Sequence, residues 1–167
     1  MSYARILVLS GILLTTAVGL SFGMANPGYI GNTLIGKPAA DFTLDTLTSK
    51  NVNMTQYRNG KKAIMFFWAT WCPHCRVELK RLNELQGEMA SKGIQSIVVS
   101  LGEERGVVDA YMKRHQYTFD VFLDTDQSLE ESYRIIGVPT LIFIDEKGDI
   151  KAVDHAFPEN YEAPFNS

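Results

Sequence analysis

Residues 63–75 read Ala63-Ile64-Met65-Phe66-Phe67-Trp68-Ala69-Thr70-Trp71-Cys72-Pro73-His74-Cys75. The run from Ala63 to Phe67 is short, continuously apolar and rich in aromatics, which predicts a buried strand. Pro73 suits the first turn of a helix, where its missing N–H costs nothing. The residues through about 92 keep helical spacing, with Val77, Leu79, Leu82, Leu85 and Met89 on one side and Gly93 as the stop. Cys72 is therefore expected where a strand gives way to a helix, at the helix N-terminus. Unpaired N–H groups and the positive end of the helix dipole gather there and favour a thiolate, the reactive form of cysteine. Cys75 lies one helical turn on, so its sulfur can reach that of Cys72. A dithiol that closes and reopens is a two-electron redox device. Pro73 fixes the turn between the two. His74, when charged, would stabilise the thiolate further and make the disulfide more oxidising.

Two plainer uses of a C-x-x-C pair fit poorly. A structural zinc site needs a full ligand set, but the chain has 2 cysteines in all, and its other histidines, His115 and His155, lie far apart in sequence. A merely structural disulfide across so short a loop removes little unfolded-state entropy.

The length of 167 residues suits one domain with a real core, and a net charge of −3 gives no basic footprint for nucleic acid. After Arg5, residues 6–25 carry no charge, which is about the length that crosses a bilayer. Ser10, Gly11, Thr15, Thr16, Gly19, Ser21 and Gly23 dilute that segment, and Gly23-Met24-Ala25 offers small residues to a signal peptidase. Residues 1–25 thus read as a signal peptide or as a retained membrane anchor, and either one exports the rest. No cysteine ends the segment, so a lipoprotein anchor is excluded. Outside the cytoplasm, a pair meant to stay reduced needs an electron supply.

Residues 26–37, with Pro27, Gly28, Gly31 and Gly36, read as a linker. Residues 41–47 and 51–54 form a weak hairpin across Thr48-Ser49-Lys50, and Asn59-Gly60 turns into the central strand. Beyond the cysteine helix come a strand at 94–101, a helix at 106–115 and a short strand at 121–123. Ser128-Leu129-Glu130-Glu131 has the form of a capping box, which predicts a helix from Ser128 to about residue 136. A strand at 141–144, a turn at 145–148 and an edge strand at 149–155 close the pattern. Strands alternating with helices and ending in a hairpin predict an α/β sandwich with a mixed sheet.

These residues resemble the thioredoxin superfamily. The stretch from Phe66 to Cys75 resembles its active-site strand and helix start, and Gly137-Val138-Pro139-Thr140 resembles its proline loop. Gly36-Lys37-Pro38-Ala39-Ala40-Asp41-Phe42-Thr43-Leu44 and Arg76-Val77-Glu78 resemble the exported TlpA/ResA-like branch. The resemblance covers residues 34–152. It implies a thioredoxin-like three-layer sandwich over residues 38–155, with a mixed central sheet and an N-terminal hairpin extension. It also implies that Cys72 is the attacking thiol and Cys75 the resolving one. Pro139 would be cis and packed against the disulfide, so that Val138 offers backbone groups to a substrate peptide as an added strand. Trp71 falls on the docking surface and Trp68 in the core. Glu78 stands where this branch carries an acid near the cysteines, and the alternative is an ordinary surface glutamate.

Two departures stand out. Six residues before the first cysteine, where thioredoxin carries a buried acid, this chain has Phe66, so any proton relay comes from elsewhere. Residues 156–167 contain Pro158 and Pro164 and show no helical apolar stripe. The last helix of the fold is expected to be missing there, leaving an irregular tail and no layer over that face of the sheet.

The implied activity is thiol:disulfide exchange, acting in the periplasm or on the outer face of the cytoplasmic membrane. Its substrates would be protein thiols and disulfides, its partner a membrane electron donor or acceptor, and no metal or organic cofactor is needed. The branch points to a reductant of protein disulfides, for example in cytochrome c maturation. Pro73-His74 is the dipeptide of DsbA-like oxidants and points to a disulfide-forming role instead. A non-catalytic peptide-binding module of the same fold is a further reading. A related peroxidase needs a P-x-x-x-T-x-x-C setting, which this chain lacks.

Overall fold

A computed structural model describes residues 33–166. The hairpin is shorter than predicted: β1 (Thr43–Leu44) pairs antiparallel with β2 (Val52–Asn53). Asn53 then stops the strand, because its side chain accepts the Gln56 N–H at 3.0 Å and caps a helix that the sequence reading did not anticipate, α1 (Met54–Arg58). The apolar run becomes β3 (Lys62–Trp68) and leads into α2 (Pro73–Ser91). There follow β4 (Ile94–Leu101), α3 (Arg105–His115), β5 (Val121–Asp124), α4 (Leu129–Tyr133), β6 (Thr140–Ile144) and β7 (Ile150–Asp154). The main sheet runs β5-β4-β3-β6-β7. β3 is parallel to β4 and antiparallel to β6, so the sheet is mixed as expected.

β3 is central, and that explains its composition. Every side chain from Ala63 to Trp68 is buried, because both faces of the strand are covered. Its side chains alternate between two cores. Ile64, Phe66 and Trp68 meet Leu79, Leu82 and Met89 of α2 and Val108 and Met112 of α3. Ala63, Met65 and Phe67 meet Met54 of α1, Leu129 and Tyr133 of α4, and Phe42 before the hairpin.

Three local expectations are corrected. Val77 is 66% exposed rather than on the buried side of α2; at about 100° per residue it lies roughly 200° around the helix from Leu79. α4 ends at Tyr133, well short of residue 136, because Arg134 turns left-handed with φ 50°. The Ser128 side chain makes no cap bond. Instead the buried Asp124 carboxylate accepts the N–H groups of Ser128 at 2.9 Å and Leu129 at 3.0 Å, and the Ser128 hydroxyl at 2.7 Å.

The third correction concerns the tail. After β7 the only helical piece among the described residues is a 3-10 turn, Ala163–Asn166. The sheet face is nevertheless covered, since Phe157, Tyr161 and Phe165 are all buried in the core that α2 completes. These rings recur every fourth residue, although Pro158 and Pro164 forbid a continuous helix. Polar clips hold the segment down. Arg81 donates to the carbonyls of Phe157 at 2.7 Å and Pro158 at 2.9 Å. Tyr161 donates to Glu88 at 2.7 Å, and Lys92 pairs with both Glu88 and Glu162.

No helix among the described residues is long and apolar enough to cross a membrane. The predicted signal or anchor at residues 1–25 and most of the predicted linker lie outside the described residues.

Candidate active site

The cysteines sit where β3 hands over to α2. Cys72 is the N-cap of α2, with extended backbone (φ −82°, ψ 113°), and Pro73 follows in the first turn. The Cys72 sulfur accepts the Cys75 N–H at 3.1 Å, as an N-cap side chain does. The two sulfurs are joined as a disulfide. Cys72 is 3% exposed and Cys75 is fully buried, so the surface is approached through Cys72. Opening the disulfide would leave the Cys72 sulfur facing a backbone N–H and the positive end of a long helix, which favours its thiolate.

The proline loop closes over this pair. The Val138–Pro139 peptide is cis, and Cys72 Sγ lies 3.5 Å from the Val138 carbonyl oxygen. The loop is braced from behind: the Thr140 hydroxyl donates to the Gly137 carbonyl at 2.7 Å, and His155 Nδ1 donates to the Pro139 carbonyl at 2.9 Å. Trp71 is 67% exposed beside the pair, and Ile136 is 92% exposed on the proline loop. Trp71, Leu101, Ile135 and Val138 line a shallow, mostly apolar depression of about 200 Å³. His74 and Pro73 face solvent in the first turn.

Cys72, Cys75, Pro73, His74, Trp71, Val138 and Pro139 are thus brought to one end of the sheet. Glu78 is placed differently. It is half-buried on the next turn of α2, and its Oε2 accepts the Phe157 N–H at 3.0 Å, so its hydrogen bond goes to the tail. Trp68 and Phe66 are core residues.

Glu103 was not singled out from the sequence, although it is built into the site. It is 8% exposed and lies just beyond the end of β4. Its carboxylate accepts the Thr70 N–H at 2.8 Å, the Thr70 hydroxyl at 2.5 Å and the buried Ser100 hydroxyl at 3.1 Å. It therefore holds the loop two residues before Cys72. Arg76, just after Cys75, closes the same loop by donating its Nε–H to the Thr70 carbonyl at 3.0 Å. His155 was likewise considered only as a metal ligand. One signal for Glu103 was available: two parallel strands end together, so residues after β4 must neighbour those after β3.

This fold with this cysteine pair defines a thioredoxin-like thiol:disulfide oxidoreductase. The chain belongs to the AhpC/TSA family, which matches residues 35–153. It is 28% identical over 151 residues to the thiol-disulfide oxidoreductase ResA of Bacillus subtilis, covering 89% of this chain and 84% of that one. The ResA of Oceanobacillus iheyensis is 30% identical over 155 residues, with 89% of this chain and 80% of the relative covered. Among solved structures, StoA from Bacillus subtilis superposes with a TM-score of 0.62 at 28% identity, over 75% of this chain and 93% of that one. A thiol:disulfide interchange protein of the thioredoxin family from Chlorobium tepidum gives a TM-score of 0.63 at 29% identity, covering 77% and 90%.

Proposed function

We propose that this oxidoreductase works outside the cytoplasm as a reductant of protein disulfides, with Cys72 as the attacking sulfur. The observation that carries exchange through Cys72 is its sulfur at the N-cap of α2, on the Cys75 N–H and 3.5 Å from the Val138 carbonyl. The Cys72 thiolate attacks one sulfur of a substrate disulfide. A mixed disulfide forms, and the other substrate sulfur leaves as a thiolate and takes up a proton. Cys75, having lost its proton, attacks Cys72 Sγ, re-forms the internal disulfide and expels the second substrate thiolate. Two electrons pass to the substrate, and a dithiol donor at the membrane restores the pair. Substrate backbone would pair with Val138 as an added strand while its side chains rest on Trp71. Pro73 and His74 tune the pair, whereas Glu78, bonded to the Phe157 N–H, is left a structural part in holding the tail.

The reducing direction is what the resemblance of residues 36–44 and 76–78 to the exported TlpA/ResA-like branch implies, and thiol-disulfide oxidoreductases named ResA match most of the chain. Export is supported by the uncharged stretch at residues 6–25. Cytochrome c haem-site cysteines are a substrate class consistent with this reading. The Pro73-His74 dipeptide favours a second reading, a disulfide-forming oxidant. A redox titration separates the two: a potential below roughly −200 mV is expected, and one above roughly −150 mV would exclude the reductant. Cys75→Ser should trap substrates on Cys72, and their redox state in the cell reports the direction.

A further inference from the structure

Thr70 and Arg76 flank the cysteines and also form one wall of a second depression, of about 350 Å³, on the α3 side of the loop. Its other walls include Val107, Tyr111, Arg114 and His115. The lining holds two arginines and a histidine and no acid, on a chain whose net charge is −3. Among the described residues neither Arg76 nor Arg114 has a carboxylate partner; the nearby Asp109 is paired with Lys113 instead. Arg76 is preset, because its Nε is bonded to Thr70, and a guanidinium so fixed loses less entropy on gripping a carboxylate. The Tyr111 ring lies against His115 at 4.3 Å and Trp68 at 5.4 Å between ring centres, so packed ring faces lie beneath the charges. The volume falls within the range of small-ligand sites, about 300–1,000 Å³.

We propose that this depression is a specificity subsite that takes an acidic side chain of the disulfide-bearing polypeptide, a few residues from its reacting cysteine. Arg76 and Arg114 supply the charge, and Tyr111 and His115 supply the surface on which the side-chain methylenes lie. The subsite rests on the exchange activity but not on its direction, since reductant and oxidant would use the same contact.

The test uses the reduced full chain and two synthetic peptides, each with one internal disulfide. They are identical except that the residues beside the disulfide are glutamates in one and lysines in the other. At low salt the glutamate peptide should be reduced with a kcat/KM about tenfold above that of the lysine peptide. The ratio should fall towards one as salt rises, because the arginines are open to solvent. Arg114→Glu should bring the ratio to one or below, and Arg114→Lys should keep it above one. A wild-type ratio near one, or a preference for glutamate that persists in Arg114→Glu, would overturn the proposal. The uncharged 2-hydroxyethyl disulfide, turned over by the wild-type chain, reads exchange alone. Failure there would count against the oxidoreductase, not the subsite.

Discussion

Glu103 offers the sharpest test of how the active-site loop is held. Glu103→Ala removes one buried acceptor group that serves the Thr70 N–H, the Thr70 hydroxyl and the Ser100 hydroxyl. Ser100 is fully buried and would be left without that acceptor, at a cost of about 1–3 kcal/mol. Thr70 is only half-buried, so water can replace part of what it loses and its share is nearer about 1 kcal/mol. The sum, roughly 2–4 kcal/mol, is a large part of the 5–15 kcal/mol typical of a domain. Glu103→Gln keeps one acceptor oxygen and should cost about half as much. Urea unfolding of the oxidised protein measures the stability change. The functional readout is the pH at which the Cys72 thiol becomes half-alkylated, together with turnover of 2-hydroxyethyl disulfide. Releasing Thr70 loosens the turn in which the Cys72 N–H donates to the Ala69 carbonyl at 3.2 Å, so turnover should fall and the thiol midpoint should move. Thr70→Val combined with Glu103→Ala should be non-additive. A stability change under about 0.5 kcal/mol for Glu103→Ala, or full additivity with Thr70→Val, would refute the idea that Glu103 anchors the loop.

Other outcomes follow from the same geometry. Phe157→Ala should destabilise the fold by about 3–5 kcal/mol, read from the urea midpoint, because the tail ring is part of the core. Arg81→Ala should cost less and raise protease sensitivity after β7. Burial pulls the Asp41 carboxyl up, but hydrogen bonds from Asn53 and Thr55 outweigh it, so its pKa lies below the usual value. A depressed acid stabilises the fold above its unfolded pKa, about 4, and that contribution is lost as pH falls through the lower folded value. The urea midpoint should therefore drop below pH 4, and Asp41→Asn should flatten that drop. Cys72→Ser should abolish disulfide turnover and the protein's role in the cell together; a cellular role that survives in Cys72→Ser would favour a module that only binds.

What could be read along the chain was local. β3, α2 and the cysteine N-cap follow from neighbours a few residues apart: an apolar run, a proline, a helical stripe. The proline loop was legible because its motif is compact. Val77 was misplaced because an apolar residue counted as core even though its angle on the helix pointed away. Glu103, His155 and the tail depend on partners far along the chain. Thr70 and Glu103 meet only because two parallel strands end side by side. The rings of Phe157, Tyr161 and Phe165 were hidden by two prolines that exclude a helix but not burial. α4 ended early because Arg134 turns left-handed, and at its other end Asp124, not the capping-box serine, took the helix amides; only the fold brings that carboxylate there.

The placement of β3 also bears on motion. Its amides are hydrogen-bonded on both sides, to β4 and β6, and its side chains fill both hydrophobic layers, so no partial opening frees it without dismantling the molecule. Amide deuterium uptake should be slowest there and should report the global unfolding free energy. The catalytic turn hangs from the end of that slowest segment, so a mixed disulfide can tug on the turn during turnover while its anchorage stays still.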